Sequence, residues 1–457
     1  MNEIYISGAG TLTLPQLERY SGSIAAYLSE RKIRVAAVIS GKSPLVFAAI
    51  RGCIMAGVCY IPVDESLPEQ RRRAILAEAD IALYDGGDIS GGAELADLRE
   101  VIRRGSAEIS EMPPLYSETP AYRIYTSGTT GAPKGIEVTL GNAGSFLRWF
   151  MTIPAIEEEM PRRVLNQAMF SFDLSVADLY YSLFTGAALT VIERGLMRDF
   201  SGLFKRMSES RAQLAVFTPA FAELCMCDSS FNRELMPELR VIFFCGEVLK
   251  PETAAKLFRR FPGLRIVNAY GPTETCCAVT AAEITPDMTD AALPVGDMVH
   301  TAGEIRVIDG EIVIFGDSTA RYIGAAGDSA GGFRIVDGRR CFFTGDSGYI
   351  KDGRLYFTGR IDRQLKIMGY RVEPEDIENN LLKIHGVLQA AVSVSGRHGS
   401  RQSTAALSAS VRTEGGITPE EIRGRLSELV PRYMLPATIT ITDNMPMSAN
   451  GKLKRGD

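Results

Sequence analysis

The stretch Tyr125-Thr126-Ser127-Gly128-Thr129-Thr130-Gly131-Ala132-Pro133-Lys134-Gly135 decides how this chain is read. It lies between Arg123-Ile124-Tyr125 and Ile136-Glu137-Val138, both of which read as strands. Glycine lets a backbone approach a ligand and turn its N–H groups inward, and Ser and Thr hydroxyls add donors, so such a loop can wrap phosphate oxygens. A flexible hairpin turn is the other reading. The generic G-x-x-x-x-G-K-[ST] pattern does not fit, because Lys134 is followed by Gly135 and a strand rather than a helix comes next.

At 457 residues the chain predicts two or three domains. Its 46% hydrophobic and 23% charged content match an ordinary globular protein. A formal net charge of -5 without a long basic run argues against nucleic acid as a partner. The start, Met1-Asn2-Glu3-Ile4-Tyr5, lacks a cationic segment followed by an apolar core, so no secretory signal is expected. The most apolar window, 46–63, is broken by Arg51 and by turn residues, which predicts a buried helix and strand rather than a membrane span. Eight cysteines without a C-x-x-C pair or a nearby histidine predict a reduced cytoplasmic protein with no structural zinc; a monomer is expected.

Along the chain, strand and helix signals alternate. Leu12 to Leu28 reads as a capped amphipathic helix, 34–39 as a buried strand, 44–55 as a helix packed on a sheet, and 67–78 as a helix capped by Ser66. The span 85–111 reads as surface helix and loop. Further βα units follow to about residue 269, which predicts parallel sheets with ligands at the carboxyl ends of the strands. From about 295, short alternating segments separated by glycines predict an antiparallel β-rich subdomain. Beyond 362 a mixed α+β pattern predicts a small separate domain. Three Gly-Asp-Ser triplets, beginning at Gly316, Gly327 and Gly345, read as turns.

Five further stretches carry candidate chemistry. In Phe172-Asp173-Leu174-Ser175-Val176, Asp173 either caps the following helix or faces a pocket and holds a substrate ammonium. Asn268-Ala269-Tyr270-Gly271-Pro272-Thr273-Glu274-Thr275 joins an aromatic face, a tight turn, hydroxyls and a carboxylate at a strand end; a plain Gly-Pro turn explains part of it. Thr344-Gly345-Asp346 and Phe357-Thr358-Gly359-Arg360-Ile361-Asp362 read as solvated turns or as binding residues. Lys452, in Met445-Pro446-Met447-Ser448-Ala449-Asn450-Gly451-Lys452, taken alone is a tail lysine.

Present together and in this order, these stretches resemble the motifs of the adenylate-forming superfamily, which includes acyl-CoA synthetases and the amino-acid adenylation domains of peptide synthetases. The resemblance runs from about Leu12 to Lys452. It implies a large α/β N-terminal domain (1–359, with the β-rich subdomain at about 295–359), a hinge at 360–362 centred on Asp362, and a small mobile α+β lid (363–457). It further implies that Thr126, Ser127 and Thr129 hold phosphate and that Tyr270 lies against adenine within the nucleotide-binding stretch Asn268, Ala269, Gly271 and Pro272. Thr273 would reach phosphate and Glu274 would bind Mg²⁺. Asp346 would accept the ribose hydroxyls, with Phe357, Thr358, Gly359 and Arg360 close by, and Lys452 would reach both the α-phosphate and the amino-acid carboxylate.

Asp173 directs the resemblance toward amino-acid:carrier-protein ligases, since activators of fatty and aryl acids generally lack an Asp there. The implied reaction is ATP-dependent adenylation of a small amino acid, D-alanine first, followed by transfer to the phosphopantetheine thiol of a carrier protein. That carrier would act in trans, because the chain stops five residues after Lys452. The amino-acid pocket would comprise Asp173, Leu174, Ala177, Val216, Phe243, Cys245, Ala269 and Cys277. Two departures matter: 285–340 is short and glycine-rich for the family, and Ala177 and Cys277 stand where bulkier or branched residues are usual. An acyl- or aryl-CoA synthetase and a non-catalytic nucleotide or amino-acid sensor are the alternative functions. Asp173 argues against the first, and retention of Lys452, Asp346 and Glu274 against the second.

Overall fold

The computed structural model describes residues 3–86, 93–105, 114–126, 134–317, 319–323, 332–367, 370–395, 406–442 and 445. Two compact units emerge: Met1–Glu65, Leu76–Ile124 and Gly135–Asp362 form the first, and Ser66–Ile75, Tyr125–Lys134 and Arg363–Asp457 the second.

The first unit is built on two layered sheets. One has eight strands in the spatial order Thr280–Ile284, Arg265–Tyr270, Val241–Phe244, Leu214–Phe217, Arg163–Asn166, Ala188–Val191, Glu3–Ser7 and Gly10–Thr13, parallel except at its two ends. Its inner strands are apolar on both faces, as helix-covered parallel strands must be. The period-2 alternation sorts the faces: Leu214, Val216, Val241 and Phe243 join one core cluster, while Ala215, Phe217, Ile242 and Phe244 join another with helices Phe200–Ser210, Pro219–Cys225 and Pro251–Arg260. The first cluster fills the space toward the second sheet, a seven-stranded one containing Val35–Ser40, Cys59–Asp64, Ile81–Tyr84, Pro120–Thr126 and Lys134–Thr139.

The capped helix is Leu14–Glu30, with the Gln16 side chain accepting from the Thr13 N–H at 2.9 Å. The β-rich region is a six-stranded antiparallel sheet around the long strand Arg339–Lys351.

Three expectations are corrected. Glu94–Asp97 is an edge strand pairing in parallel with Ile81–Tyr84, where surface helix and loop were expected; its short polar sequence hides the edge role. Gly345-Asp346-Ser347 is no turn but lies inside Arg339–Lys351, where the ladder shifts register after Ser347 and Gly345 takes a left-handed φ of 71°. The helix after Ser66 is Glu69–Leu76, and most of it groups with the second unit, through a buried Arg71–Asp376 ion pair of 2.7 Å and Arg71 Nε donating to the Leu429 carbonyl.

In the second unit the helices Pro374–Leu381 and Pro419–Ser427 pack on the strands Val387–Ser395, Ala406–Thr413 and Thr438–Ile441, and Tyr370 stacks on Tyr433 with centroids 4.0 Å apart. Among the described residues no helix is long and apolar enough to cross a membrane.

Candidate active site

The strand Arg265–Tyr270 ends where the chain must turn sharply. A Cβ on Gly271 would sit 2.5 Å from the Ala278 Cα, so only glycine lets the loop fold back on itself. Pro272 then starts the 3₁₀ turn Thr273–Thr275, and the Val279 N–H closes the loop on the Tyr270 carbonyl at 2.9 Å. Alternation along the strand divides its side chains. Tyr270 packs toward the β-rich sheet, while Ala269 joins the core cluster that contains Ala177, Val216, Phe243, Cys245 and Cys277. Of the expected nucleotide residues, therefore, Ala269 offers only its backbone. Asn268 is buried; its amide donates to the Pro294 carbonyl at 2.8 Å, and its Oδ1 finds no donor among the described residues.

On the Tyr270 side, the tyrosine hydroxyl donates to Asp346 Oδ2 at 2.5 Å, and Arg360 Nη1 donates to Asp346 Oδ1 at 2.7 Å. Asp346 and Arg360 are direct partners across adjacent strands. Burial and the Asp346 charge raise the Tyr270 phenol well above its ordinary value, so it stays protonated and donates. Arg360 also pairs with Asp362, whose carboxylate is half exposed. Phe357 lies 6.4 Å from Tyr270, centroid to centroid, Thr358 is exposed, and Gly359 has a φ of 149°.

On the other side, Asp173 is buried and accepts a hydrogen bond from the Thr273 hydroxyl. The helix Ser175–Thr185 has Leu174 as its N-cap and no side-chain cap bond, while Ser175 Oγ donates to the Phe172 carbonyl at 2.8 Å. The carboxylate thus reaches the motif loop instead of capping its own helix. Thr273, expected at a phosphate, is turned toward Asp173. Ala177 is fully buried, Cys245 Sγ donates to the Cys277 carbonyl at 3.7 Å, and Cys276 and Cys277 hold successive left-handed φ values of 60° and 77°. Contact with Cys245 and burial push the Cys277 thiol well up, which keeps it protonated and unreactive.

Glu274 is completely buried, and its Oε1 accepts from the Tyr322 hydroxyl at 2.5 Å. Among the described residues no group of three or more His, Cys, Asp or Glu could cage a metal. One carboxylate completed by phosphate oxygens and water is the donor set that suits Mg²⁺, so the residues fit that ion. Thr126 ends the strand Pro120–Thr126; Ser127, Thr129 and Lys452 lie outside the described residues.

Two features escaped the sequence. Tyr322 is one. The other is a buried polar array beneath the Asp173 helix, whose only trace in the sequence is a lone lysine between an apolar strand and an apolar helix. Lys42 Nζ donates to Asn166 Oδ1 (2.5 Å) and to the carbonyls of Gln167 (2.8 Å) and Ile192 (2.9 Å), joining a loop of the second sheet to strand ends of the first. Asn166 Nδ2 in turn donates to both Asp178 oxygens at 2.9 Å. Burial pushes the Asp178 carboxyl up to about 8 and the Lys42 ammonium down to about 7, against the attraction between them.

Residues 2–321 match the profile of the family described as AMP-binding enzyme. The chain belongs to that family. The D-alanine--D-alanyl carrier protein ligase of Listeria innocua is 34% identical over 98% of this chain and 94% of its own length. The ligase of the same name from Bacillus mycoides is 34% identical over 97% and 93%. Among solved structures, the Vibrio cholerae adenylation domain AlmE, in complex with glycyl-adenosine-5'-phosphate, superposes with a TM-score of 0.81 over 99% of this chain and 93% of that one. At 20% identity that likeness shows the fold. A four-domain nonribosomal peptide synthetase bound to AMP and glycine is 27% identical, with a TM-score of 0.69, and covers 99% of this chain and 35% of that one. In this chain the loop after Arg265–Tyr270 presents Tyr270 to one side and Thr273 to the other.

Proposed function

We propose that this enzyme adenylates a small amino acid, D-alanine first, with ATP and then transfers it to the phosphopantetheine thiol of a separate carrier protein in the cytoplasm. The observation that carries the reading is the hydrogen bond from Thr273 to the buried Asp173, which joins the candidate ammonium anchor to the loop that bears Tyr270 and Glu274. The names and near full-length match of the Listeria and Bacillus ligases support D-alanine and a carrier protein.

In the first half-reaction the amino-acid carboxylate oxygen attacks the α-phosphorus, and the bond to pyrophosphate breaks. Two anions meet, so the chain must supply donors where charge accumulates; no general base is required. Asp173 holds the ammonium, Tyr270 lies against adenine, and Asp346, oriented by Tyr270 and Arg360, accepts the ribose hydroxyls. A carboxylate has about four acceptor positions, so Asp346 can keep both partners and still take a ribose. Lys452 and the amides and hydroxyls of Thr126, Ser127 and Thr129 donate to the phosphates. When bound at Glu274, Mg²⁺ would neutralise phosphate charge. In the second half-reaction a thiol sulfur attacks the acyl carbonyl and AMP leaves. For that Lys452 must withdraw, by rotation of the smaller domain about Asp362.

The pocket residues are small or medium around one aromatic, and Ala177 leaves room where a larger residue would close it. ATP–pyrophosphate exchange over a panel of D- and L-amino acids, followed by carrier loading, tests this. D-alanine is expected to lead, with measurable D-serine or D-2-aminobutyrate. A preference for a large, aromatic or charged amino acid would overturn the substrate reading.

A further inference from the structure

The segment 319–323 clasps Glu274 at both ends. The Ala320 N–H donates to the Glu274 carbonyl at 2.8 Å, and the Tyr322 hydroxyl donates to its carboxylate at 2.5 Å. The same segment is an edge strand on the second sheet: Arg321 and Tyr322 pair with Glu137 and Ile136, and the Ile323 N–H donates to the Gly135 carbonyl at 3.0 Å. Gly135 is the last residue of the glycine-rich stretch.

The clasp is itself held firmly. Arg340 donates to Thr319 Oγ1 at 3.0 Å and to the Ala320 carbonyl at 2.6 Å, and its guanidinium lies 4.0 Å over the Phe333 ring. Phe333 meets the Tyr322 ring edge-on at 5.5 Å. Arg321 is ion-paired to Glu137, a carboxylate buried in the sheet.

A buried carboxylate needs hydrogen-bond partners in any fold, so Tyr322 could serve stability alone. Its placement says more. One tyrosine, on a strap hydrogen-bonded to Gly135 and paired with the strand Lys134–Thr139, meets the carboxylate proposed for the cation, so that strand and the carboxylate are held by the same piece of chain. We propose that Tyr322 is the positioning residue for Glu274, and that the strap 319–323 couples the carboxylate that receives a divalent cation to the strand leaving the phosphate loop. This rests on the proposed role of Glu274. A carboxylate accepts several partners at once, so the phenol orients the group and leaves acceptor positions for a cation. Partners of this kind, one shell out from a metal, typically govern affinity by about 10- to 100-fold.

The test measures Mn²⁺ affinity in the protein–ATP complex, without amino acid, from the enhancement of water-proton relaxation. Tyr322→Phe keeps the ring packed on Phe333 and removes only the donor. It is expected to weaken Mn²⁺ by about 10-fold, to raise the Mg²⁺ needed for half-maximal exchange by a similar factor, and to leave KM for D-alanine within about twofold. Glu274→Gln is run beside it. Weaker Mn²⁺ binding in both variants supports the proposal. Weakening in Glu274→Gln alone overturns the role of Tyr322 while the Glu274 reading stands. Unchanged binding in Glu274→Gln overturns the Glu274 reading itself. A lower melting temperature for Tyr322→Phe with unchanged Mn²⁺ affinity would mean that the tyrosine only satisfies a buried charge, and the proposal would fall.

Discussion

Asp173 and Lys452 would grip the two ends of the amino acid, and their substitution separates their tasks. In Asp173→Asn the Thr273 hydroxyl can still donate to the side-chain oxygen, so the loop keeps its shape while the ammonium loses its ionic partner. KM for the amino acid should rise roughly 10- to 150-fold, the equivalent of a charge-assisted hydrogen bond, with KM for ATP nearly unchanged. Steady-state exchange kinetics with each substrate varied in turn read this directly, and equal weakening of both would return Asp173 to a structural role. Lys452 should matter only while charge develops at the α-phosphate. Lys452→Ala is therefore expected to lower adenylate formation by on the order of 10²- to 10³-fold, the usual effect of removing one donor to a developing anion. Transfer from a preformed adenylate to the carrier should survive, as single-turnover loading would reveal.

The helix Ser175–Thr185 carries Asp173 at its entry and Asp178 in its first turn, and the Lys42–Asn166–Asp178 array fastens it to both sheets. The fold raises the Asp178 carboxyl from its model-peptide value of 3.8 to about 8, so it favours the protonated form. That contribution to stability is complete below about pH 4 and is lost as pH rises through about 8. Lys42 runs the other way: lowered from 10.5 to about 7, its contribution is complete above about pH 10.5 and is lost as pH falls through about 7, which leaves the pH 4 to 7 change to Asp178. Over that range the wild type should lose stability relative to Asp178→Asn by up to about 1.4 kcal/mol per pH unit. Calorimetric melting of both proteins across the range checks the sign; a constant difference would show that Asp178 is ionised throughout.

Asp362 closes the last stretch of the first unit and Arg363 opens the last stretch of the second. Arg363 is held by Glu375, Glu378 and the Val392 carbonyl, and Asp362 by Arg360, so each flank is anchored in its own unit, which supports the pivot proposed at Asp362. If the lid turns there between half-reactions, Asp362→Pro, which locks φ near -65°, should spare adenylation and slow thioester formation by at least about tenfold. Burst kinetics of adenylate formation set against carrier loading separate the two steps, and equal loss of both would mean general damage.

Local sequence determined a good deal. Apolar runs such as Leu214–Phe217 and Val241–Phe244 read as buried strands and are; the segment around Thr13 marked a capped helix start; and the α+β pattern beyond 362 appears with its elements displaced by a few residues at most. The motif order also led to the family, because each stretch needs particular residue types at fixed spacing. What sequence could not decide were the pairings between residues far apart in the chain. Asp173 read as a helix cap or as an ammonium anchor, and its hydrogen bond from Thr273, one hundred residues away, appears only in the tertiary structure. Tyr322 had no pattern of its own, and the role proposed for it rests on a hydroxyl meeting Glu274 across 48 residues. Nothing in the sequence singled out Lys42, yet its ammonium lies buried among acceptors 124 to 150 residues away. Helix and strand signals act over a few residues and leave their mark in periodicity. Hydrogen bonds between buried polar groups depend on which strand ends the tertiary fold brings together, and no local pattern records that.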